Sequence, residues 1–162
     1  MRFAYADPPY MRCGKLYPEK QEVDHRELIN RLVSEFPDGW ALSCHTPSLY
    51  DLIPMCPRST RIMAWVKPFA VFKPNVNPAY AWEPVLVSGG RKRGRDVPTV
   101  RDWVSANITL RKGLVGAKPE AFCFWLFEVL NMQPGDDFVD LFPGTGIVGT
   151  CWERFCADRL AR

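Results

Sequence analysis

Near its C-terminal end the sequence reads Asp137-Phe138-Val139-Asp140-Leu141-Phe142-Pro143-Gly144-Thr145-Gly146, and this stretch decides the fold. Residues 137–142 predict a strand, and a helix is predicted from about residue 147 to near the C-terminus. Glycines between a strand and a helix let a ligand approach the backbone closely, and the helix N-terminus offers unpaired N–H groups. Since no lysine follows the second glycine, the loop does not match a P-loop for ATP. The stretch therefore predicts a ligand-binding loop, with an ordinary strand-to-helix turn as the alternative.

The rest of the chain repeats this alternation of strands and helices. Apolar runs bounded by proline or glycine predict strands at 2–6, 40–44, 61–66, 81–87 and 137–142. Apolar residues at helical spacing predict further helices over about 19–36, 46–53 and 118–132. This order of elements predicts an α/β fold, with a mostly parallel sheet of about five strands and flanking helices.

Length and composition limit the class of protein. The 162 residues are 47% hydrophobic and 24% charged, which is typical of one globular domain, here expected over 1–162. No apolar run is long enough to span a membrane, and the acid at position 7 comes too early for a signal peptide. The six cysteines form no Cys-x-x-Cys pair. We therefore expect reduced thiols in a cytoplasmic protein, and the Cys44-His45 and Cys56 spacing fits no common zinc pattern.

A short proline motif, Asp7-Pro8-Pro9-Tyr10, follows directly on the first predicted strand. In open α/β sheets, functional sites lie beyond the carboxyl ends of strands. Two prolines make a stiff turn, which holds the Asp7 carboxylate and the Pro8 carbonyl in fixed directions. Both groups accept hydrogen bonds, so together they can hold an amino group, and the Tyr10 ring can stack on a planar base. From these four residues alone, a proline-rich turn with a capping aspartate is the alternative.

Positive charge is concentrated in one segment of the chain. The net charge is only +3, yet residues 88–117 hold seven basic residues against two acids. A local basic segment suits the phosphate backbone of a nucleic acid, and a solvated loop is the alternative. The candidate nucleic-acid contacts are Arg91, Lys92, Arg93, Arg95, Arg111 and Lys112.

Together the two motifs resemble those of the amino-group DNA methyltransferases that use S-adenosylmethionine. The resemblance is to the group in which Asp-Pro-Pro-Tyr precedes the glycine-rich motif. Asp140, Phe142, Gly144 and Gly146 fall on the family's Asp-x-Phe-x-Gly-Ser-Gly pattern, and Thr145 replaces the serine but keeps a hydroxyl group.

Three further segments extend the resemblance over nearly the whole chain. Lys118-Pro119 stands where the family has Lys-Pro at the start of a helix that borders the cofactor. Trp65-x-Lys67 and the run from Tyr80 through Glu83 to Val87 resemble the family's central strand segments. The matches occur in the family's order.

The resemblance implies a Rossmann-like fold and a methyl transfer from S-adenosylmethionine to the exocyclic amine of a flipped DNA base. Asp7 and the Pro8 carbonyl would accept hydrogen bonds from that amine and expose its lone pair, while Pro9 stiffens the turn. Tyr10 would stack on the base. An initial aspartate favours adenine N6 over cytosine N4, and no metal is required. The implied cofactor-binding residues are Asp7, Lys118, Asp140, Phe142, Gly144, Thr145 and Gly146.

The same resemblance places the target-recognition segment at 88–117, the basic segment, and makes pairing with a restriction enzyme conceivable. The family continues beyond the glycine-rich helix into a strand whose last acid holds the cofactor ribose. No such strand is predicted within these 162 residues, so we expect the cofactor half to be reduced. By analogy the strand at 137–142 then lies beside the strand at 2–6 and forms a sheet edge, which a homodimer or the last helix is expected to cover.

Two other classes of function stay open. The reduced cofactor half suggests a degenerate methyltransferase fold that serves as a nucleic-acid-binding or partner subunit. A methyltransferase acting on small molecules or proteins is the third possibility, and the basic segment makes it less suitable.

Overall fold

The structure is a computed structural model that describes residues 1–11, 22–69, 74–109 and 117–161. Its strands are β1 (Arg2–Ala6), β2 (Gly39–Ser43), β3 (Arg61–Val66), β4 (Trp82–Gly89), β5 (Trp103–Ser105) and β6 (Asp137–Asp140). Its helices are α1 (His25–Glu35), α2 (Leu49–Leu52), α3 (Glu120–Val129) and α4 (Ile147–Leu160), with 3-10 turns at Thr46–Ser48 and Ile53–Met55. The predicted alternation of strands and helices is confirmed.

The described strands form one sheet in the order β5-β3-β4-β2-β1-β6. Parallel pairs join β1 to β2 and β6 and join β3 to β5, whereas β4 runs antiparallel to β2 and β3. The predicted mostly parallel sheet is therefore confirmed, with β5 as one strand more than expected. Because the other strands share one direction, their last residues and the first residues of β4 meet at one edge. We call this side the carboxyl edge and the opposite side the amino edge.

The two outer strands, β5 and β6, form the ends of the sheet. The expected placement of β6 beside β1, at the end of the sheet, is confirmed. β6 ends at Asp140 rather than Phe142, because the Phe142 N–H donates to the Asp140 carboxylate at 3.2 Å and turns the chain. β5 lies inside the predicted recognition segment 88–117 and closes the sheet at the other end.

Helices pack on both faces of the sheet, and β1 shows how the sequence specifies this. Phe3 and Tyr5 are buried in the cluster that includes α3 and α4, and Ala4 and Ala6 are buried in the cluster that includes α1. This alternation is the period of a strand with both faces covered. A fully buried phenylalanine such as Phe3 stabilises the fold by roughly 1.5–3 kcal/mol.

Helices α1 and α3 are shorter than predicted, and side-chain and backbone caps explain why; in the helix predicted at 46–53 only Leu49–Leu52 is α-helical, between two 3-10 turns. The Asp24 carboxylate accepts hydrogen bonds from the N–H groups of Arg26 and Glu27, so α1 begins at His25. The predicted start at residue 19 falls outside the described residues. At the end of α3, Asn131 adopts a left-handed φ of 52°, and the Met132 N–H donates to the Phe127 carbonyl at 2.9 Å. This Schellman-type ending stops the helix before Met132.

Two observations concern the predicted environment of the protein. Within the described ranges, no helix is both long and apolar enough to cross a bilayer. The thiols of the described cysteines are free, at positions 44, 56, 123, 151 and 156.

Candidate active site

The carboxyl edge brings the proline motif and the lysine before α3 together. β1 ends at Ala6, and the turn at Pro8 and Pro9 follows Asp7. The Asp7 carboxylate lies 3.0 Å from the ammonium of Lys118, whose side chain is only 5% exposed. Asp7 is therefore held by an ion pair across the sheet edge and is not simply a capping residue in a turn.

Lys118 is shared between two carboxylates. Its ammonium lies 3.2 Å from Glu83 in addition to Asp7, and it lies over the Trp65 ring at 5.2 Å from the centroid. Burial lowers the pKa of Lys118, but the charges of Asp7, Tyr5 and Glu83 raise it well above its ordinary value. Lys118 is thus a fixed cation at neutral pH. Its position before the start of α3 agrees with the sequence, but the ion pairs were not predicted.

Glu83 is one of two residues of this site, with His45, that the sequence motifs did not single out. It is the second residue of β4 and is buried, with 6% of the residue exposed. One carboxylate oxygen accepts hydrogen bonds from the Tyr10 hydroxyl and from Lys118, and the other lies 2.5 Å from the Lys67 ammonium. Burial raises the pKa of Glu83, while Lys118 lowers it. The available signal was an acid within the otherwise apolar run 81–87.

Tyr10 is held on one ring face as well as at its hydroxyl group. Its ring is parallel to that of His45, with 4.9 Å between centroids and 2° between planes. The Nδ1 atom of His45 is hydrogen-bonded to the Ser48 hydroxyl at 2.6 Å. Burial, with a smaller electrostatic effect of His25, lowers the pKa of His45. His45 was given no role from the sequence.

The glycine-rich loop leads from β6 into α4. Gly144 and Gly146 have left-handed φ angles of 48° and 73°, and the Gly146 N–H donates to the Pro143 carbonyl at 2.7 Å. A Cβ atom placed on Gly146 would meet no other atom within 4 Å, so the space above this residue is open. Gly146 caps α4 without a side chain, which leaves N–H groups of the first turn for a ligand. Thr145 is exposed, and Phe142 is half-buried.

Asp140, the last residue of β6, lies within electrostatic reach of Asp7. Burial raises the pKa of Asp140 to about 6, the charge of Asp7 adds to this, and the hydrogen bond from the Phe142 N–H opposes it. The pKa of Asp140 in the folded protein therefore lies above that of an aspartate in the unfolded chain. As a result, its contribution to the free energy of unfolding is lost as the pH rises from about 4 to about 6.

Replacing Asp140 by asparagine is expected to stabilise the protein at pH 7, because asparagine keeps an oxygen for the Phe142 N–H and carries no charge at this half-buried position. The variant should also lose the fall in stability between about pH 4 and pH 6. Urea unfolding of Asp140→Asn and of the wild type at pH 4.5 and pH 7 measures both effects. If the free energy of unfolding depends on pH in the same way in both proteins, the loss of stability between these pH values does not come from Asp140.

Two of the predicted nucleic-acid contacts are used inside the protein. Arg91 donates to both carboxylate oxygens of Asp136, at 2.5 and 2.8 Å, and Arg93 is paired with Glu128. Both arginines follow β4 at the amino edge, on the side of the sheet opposite to Asp7. Lys92 and Arg95 share this location with exposed side chains.

The other end of the basic segment returns to the active-site edge. The Ala106 N–H donates to the Val66 carbonyl at 3.0 Å, and the Trp65 indole N–H donates to the Ala106 carbonyl at 2.8 Å. Ala117 is buried next to Lys118. Arg111 and Lys112 fall outside the described residues. In the described part of the chain, no group of histidine, cysteine and acidic side chains is arranged to hold a metal ion.

Comparisons with known proteins concern the fold. No family model and no curated protein matches the sequence. The structure is similar to a crystal structure of the M1.HpyAVI–SAM complex, with a TM-score of 0.65 and 16% identity, covering 95% of this chain and 77% of that one. It is also similar to a crystal structure of M1.HpyAVI, with a TM-score of 0.58 and 14% identity, covering 96% of this chain and 76% of that one. The likeness confirms the predicted Rossmann-like α/β fold.

Proposed function

We propose that this protein transfers a methyl group from S-adenosylmethionine to the exocyclic amine of a flipped base in DNA, with adenine N6 favoured over cytosine N4. One observation carries the proposal: the proline motif and the glycine-rich loop follow neighbouring parallel strands. In the register of β1 and β6, Tyr5 is opposite Asp140, so both motifs leave the sheet side by side. A site for a planar base and a site for a cofactor thus adjoin each other.

The glycine-rich loop fits S-adenosylmethionine, which is also the ligand of one of the M1.HpyAVI structures. That cofactor, when bound, supplies a methyl group activated by a sulfonium charge. Asp140 and Asp7 offer carboxylates near a cationic ligand. The open space at Gly146 and the free N–H groups of the first turn of α4 suit a carboxylate-bearing end of the molecule. Phe142, Gly144 and Thr145 complete the proposed lining.

Lys118 contributes to this site through Asp7. Because its ammonium is buried between Asp7 and Glu83, the described contacts use it to hold the Asp7 carboxylate in place. We therefore propose that Lys118 borders the cofactor site without being its principal contact.

The chemical work of the chain is to bind and orient the target amine. The Asp7 carboxylate and the Pro8 carbonyl accept the two N–H groups of the amine, which draws the nitrogen away from conjugation with the ring and exposes its lone pair. The Tyr10 ring stacks on the base after it leaves the duplex, and such stacking contributes roughly 1–3 kcal/mol per base. Pro8 and Pro9 keep the turn stiff, so these acceptors need little reorganisation.

Incubation of the protein with isotope-labelled S-adenosylmethionine and unmethylated DNA, followed by mass spectrometry of the nucleosides, tests the proposal. Labelled N6-methyladenine is the expected product, and N4-methylcytosine would assign the other base. Cofactor binding without any modified base would indicate a small-molecule or protein substrate. No binding at millimolar cofactor in calorimetry would favour a degenerate subunit.

We propose separately that the basic segment contacts DNA, and the sheet geometry indicates which of its basic residues are suitably placed. Ala106, which comes before Arg111 and Lys112 in the chain, and Lys118, which comes after them, lie at the carboxyl edge, whereas Lys92 and Arg95 follow β4 at the amino edge. Each phosphate contact contributes about 0.9 to the slope of log affinity against log salt. We expect the Arg111→Gln, Lys112→Gln pair to reduce this slope by about 1–2, and the matched Lys92→Gln, Arg95→Gln pair to leave it unchanged. The opposite result would place the DNA on the amino edge.

Three further expectations remain proposals. A homodimer through the outer edge of β6 would cover the last strand of the sheet, and analytical ultracentrifugation measures it. A cytoplasmic location is proposed from the free thiols. Residues 88–117 are proposed as a recognition segment within a single domain.

A further inference from the structure

We infer that Glu83 is a positioning residue of the proposed methyl transfer, which holds the Tyr10 ring and the Lys118–Asp7 pair in one fixed arrangement. The inference rests on the proposed function and adds to it a residue for which the sequence indicated no role.

The first argument is the continuity of the contacts. One oxygen of Glu83 accepts hydrogen bonds from both the Tyr10 hydroxyl and the Lys118 ammonium. Lys118 in turn lies 3.0 Å from Asp7. The base-stacking ring and the amine-accepting carboxylate are thus joined through two side chains, although Tyr10 and Glu83 are 73 residues apart in sequence.

The second argument is the position of Glu83 in the sheet. Val85 and Val87 point to the same face of β4 and are buried in the core that includes α3. A residue two positions before Val85 on this face is expected to be apolar, because a buried ion pair seldom stabilises a fold more than a well-packed apolar residue does. Two lysines, Lys67 and Lys118, are needed to neutralise the carboxylates at this point. The acid at position 83 is therefore better explained by its orienting of Tyr10 and Lys118 than by a contribution to the stability of the fold.

The third argument concerns the Tyr10 ring itself. His45 covers one ring face at 4.9 Å, and Glu83 holds the hydroxyl end. These two contacts fix the plane of the ring, and the proposal assigns the ring face opposite His45 to the base. A Tyr10 ring without these side-chain contacts would have to be ordered when the base binds, at a cost in binding free energy.

The test begins with the free protein, so that it does not depend on activity. In protein with ring-labelled tyrosine, the Tyr10 resonance should be shifted upfield by the His45 ring. His45→Ala, which removes the shielding ring, identifies it. Glu83→Gln replaces one of the two acceptor oxygens by an amide and is expected to move the resonance towards that of an unstacked tyrosine. Glu35→Gln, at an exposed acid of α1, should not change it. An unchanged Tyr10 resonance in a folded Glu83→Gln protein would overturn the inference.

The kinetic arm uses a double-mutant cycle on DNA methylation. Glu83→Gln and Tyr10→Phe are each expected to reduce kcat/KM about 10- to 100-fold, with the dissociation constant of S-adenosylmethionine within about threefold of the wild type. The double variant should be no worse than Glu83→Gln alone, since Tyr10→Phe removes only a link that Glu83→Gln already breaks. Multiplicative losses would overturn the inference. If the wild type itself methylates nothing, the proposed function fails, and the resonance of Tyr10 still decides the role of Glu83.

Because Glu83 is buried, thermal unfolding is used to check that the Glu83→Gln variant folds. If that variant does not fold, Tyr10→Phe decides alone. Tyr10→Phe removes only the hydroxyl group of a half-buried ring. Wild-type kcat/KM in this variant would show that the link from Glu83 to the ring has no function.

Discussion

Replacement of Asp7 by alanine is expected to reduce methyl transfer about 10³-fold while cofactor binding persists. The carboxylate is one of the two groups placed to accept hydrogen bonds from the target amine, and loss of a single preorganised partner of a reacting group costs about 10²–10³ in rate. The cofactor loop follows a different strand, β6, so its geometry should survive the change. Single-turnover methylation gives the rate, and calorimetry gives the cofactor affinity.

The matched control for this experiment is Asp137→Ala. Asp137 is exposed at the start of β6 and pairs with the exposed Arg2 at the amino edge. Its loss should leave the methylation rate unchanged, because exposed ion pairs contribute little. Wild-type methylation by Asp7→Ala would show that the amine is bound elsewhere, and the assignment of the proline motif would be wrong.

Replacement of Lys118 by methionine is expected to lower the free energy of unfolding by about 3 kcal/mol at pH 7, the range measured when one partner of a buried ion pair is removed. The ammonium is 5% exposed and lies between Asp7 and Glu83, so both carboxylates lose a shared cation. Urea unfolding with an unchanged m-value measures the loss. Arg31→Met, which breaks the exposed Arg31–Glu35 pair, should cost no more than about 0.5 kcal/mol.

The pH dependence of the Lys118→Met variant gives an independent check. Burial already raises the pKa of Glu83, and loss of the neighbouring cation raises it further. A group whose folded pKa is raised favours the folded state at low pH and loses this contribution as pH rises through the folded pKa. The deficit of the variant should therefore be smaller at pH 4 than at pH 7. Equal deficits at both pH values would exclude the carboxylates as its cause.

The alternation of strands and helices could be predicted because it is written in local patterns. Apolar runs stopped by proline or glycine gave five of the strands to within a few residues. β5 was not predicted, since its three residues, Trp103 to Ser105, are largely exposed and too few to show a period. It pairs with β3 through the backbone, and backbone pairing between distant segments leaves no trace in a short sequence.

The contacts within the site were only partly predictable for a similar reason. Asp7, Tyr10 and Lys118 were singled out from motifs, but the ion pairs of Lys118 with Asp7 and Glu83 and the hydrogen bond of Tyr10 to Glu83 join residues far apart in the chain. The number of charges in the basic segment does not show which of its arginines form ion pairs within the protein. The structure separates them, because Arg91 and Arg93 meet Asp136 and Glu128, 45 and 35 residues further on. Which arginines are internal depends on the packing of α3 and the turn before β6 against the end of β4.

The reversed direction of β4 has a consequence for the search for functional residues in related folds. Motifs are usually sought where parallel strands finish, and that rule leads to Asp7 and Asp140. An antiparallel strand places its first residues at the same carboxyl edge, and Glu83 lies there for this reason. A polar residue that begins an antiparallel strand should therefore be ranked with those that follow parallel ones. In chains that match no family model, this rule would identify site residues that carry no sequence motif, from the order and direction of the strands alone.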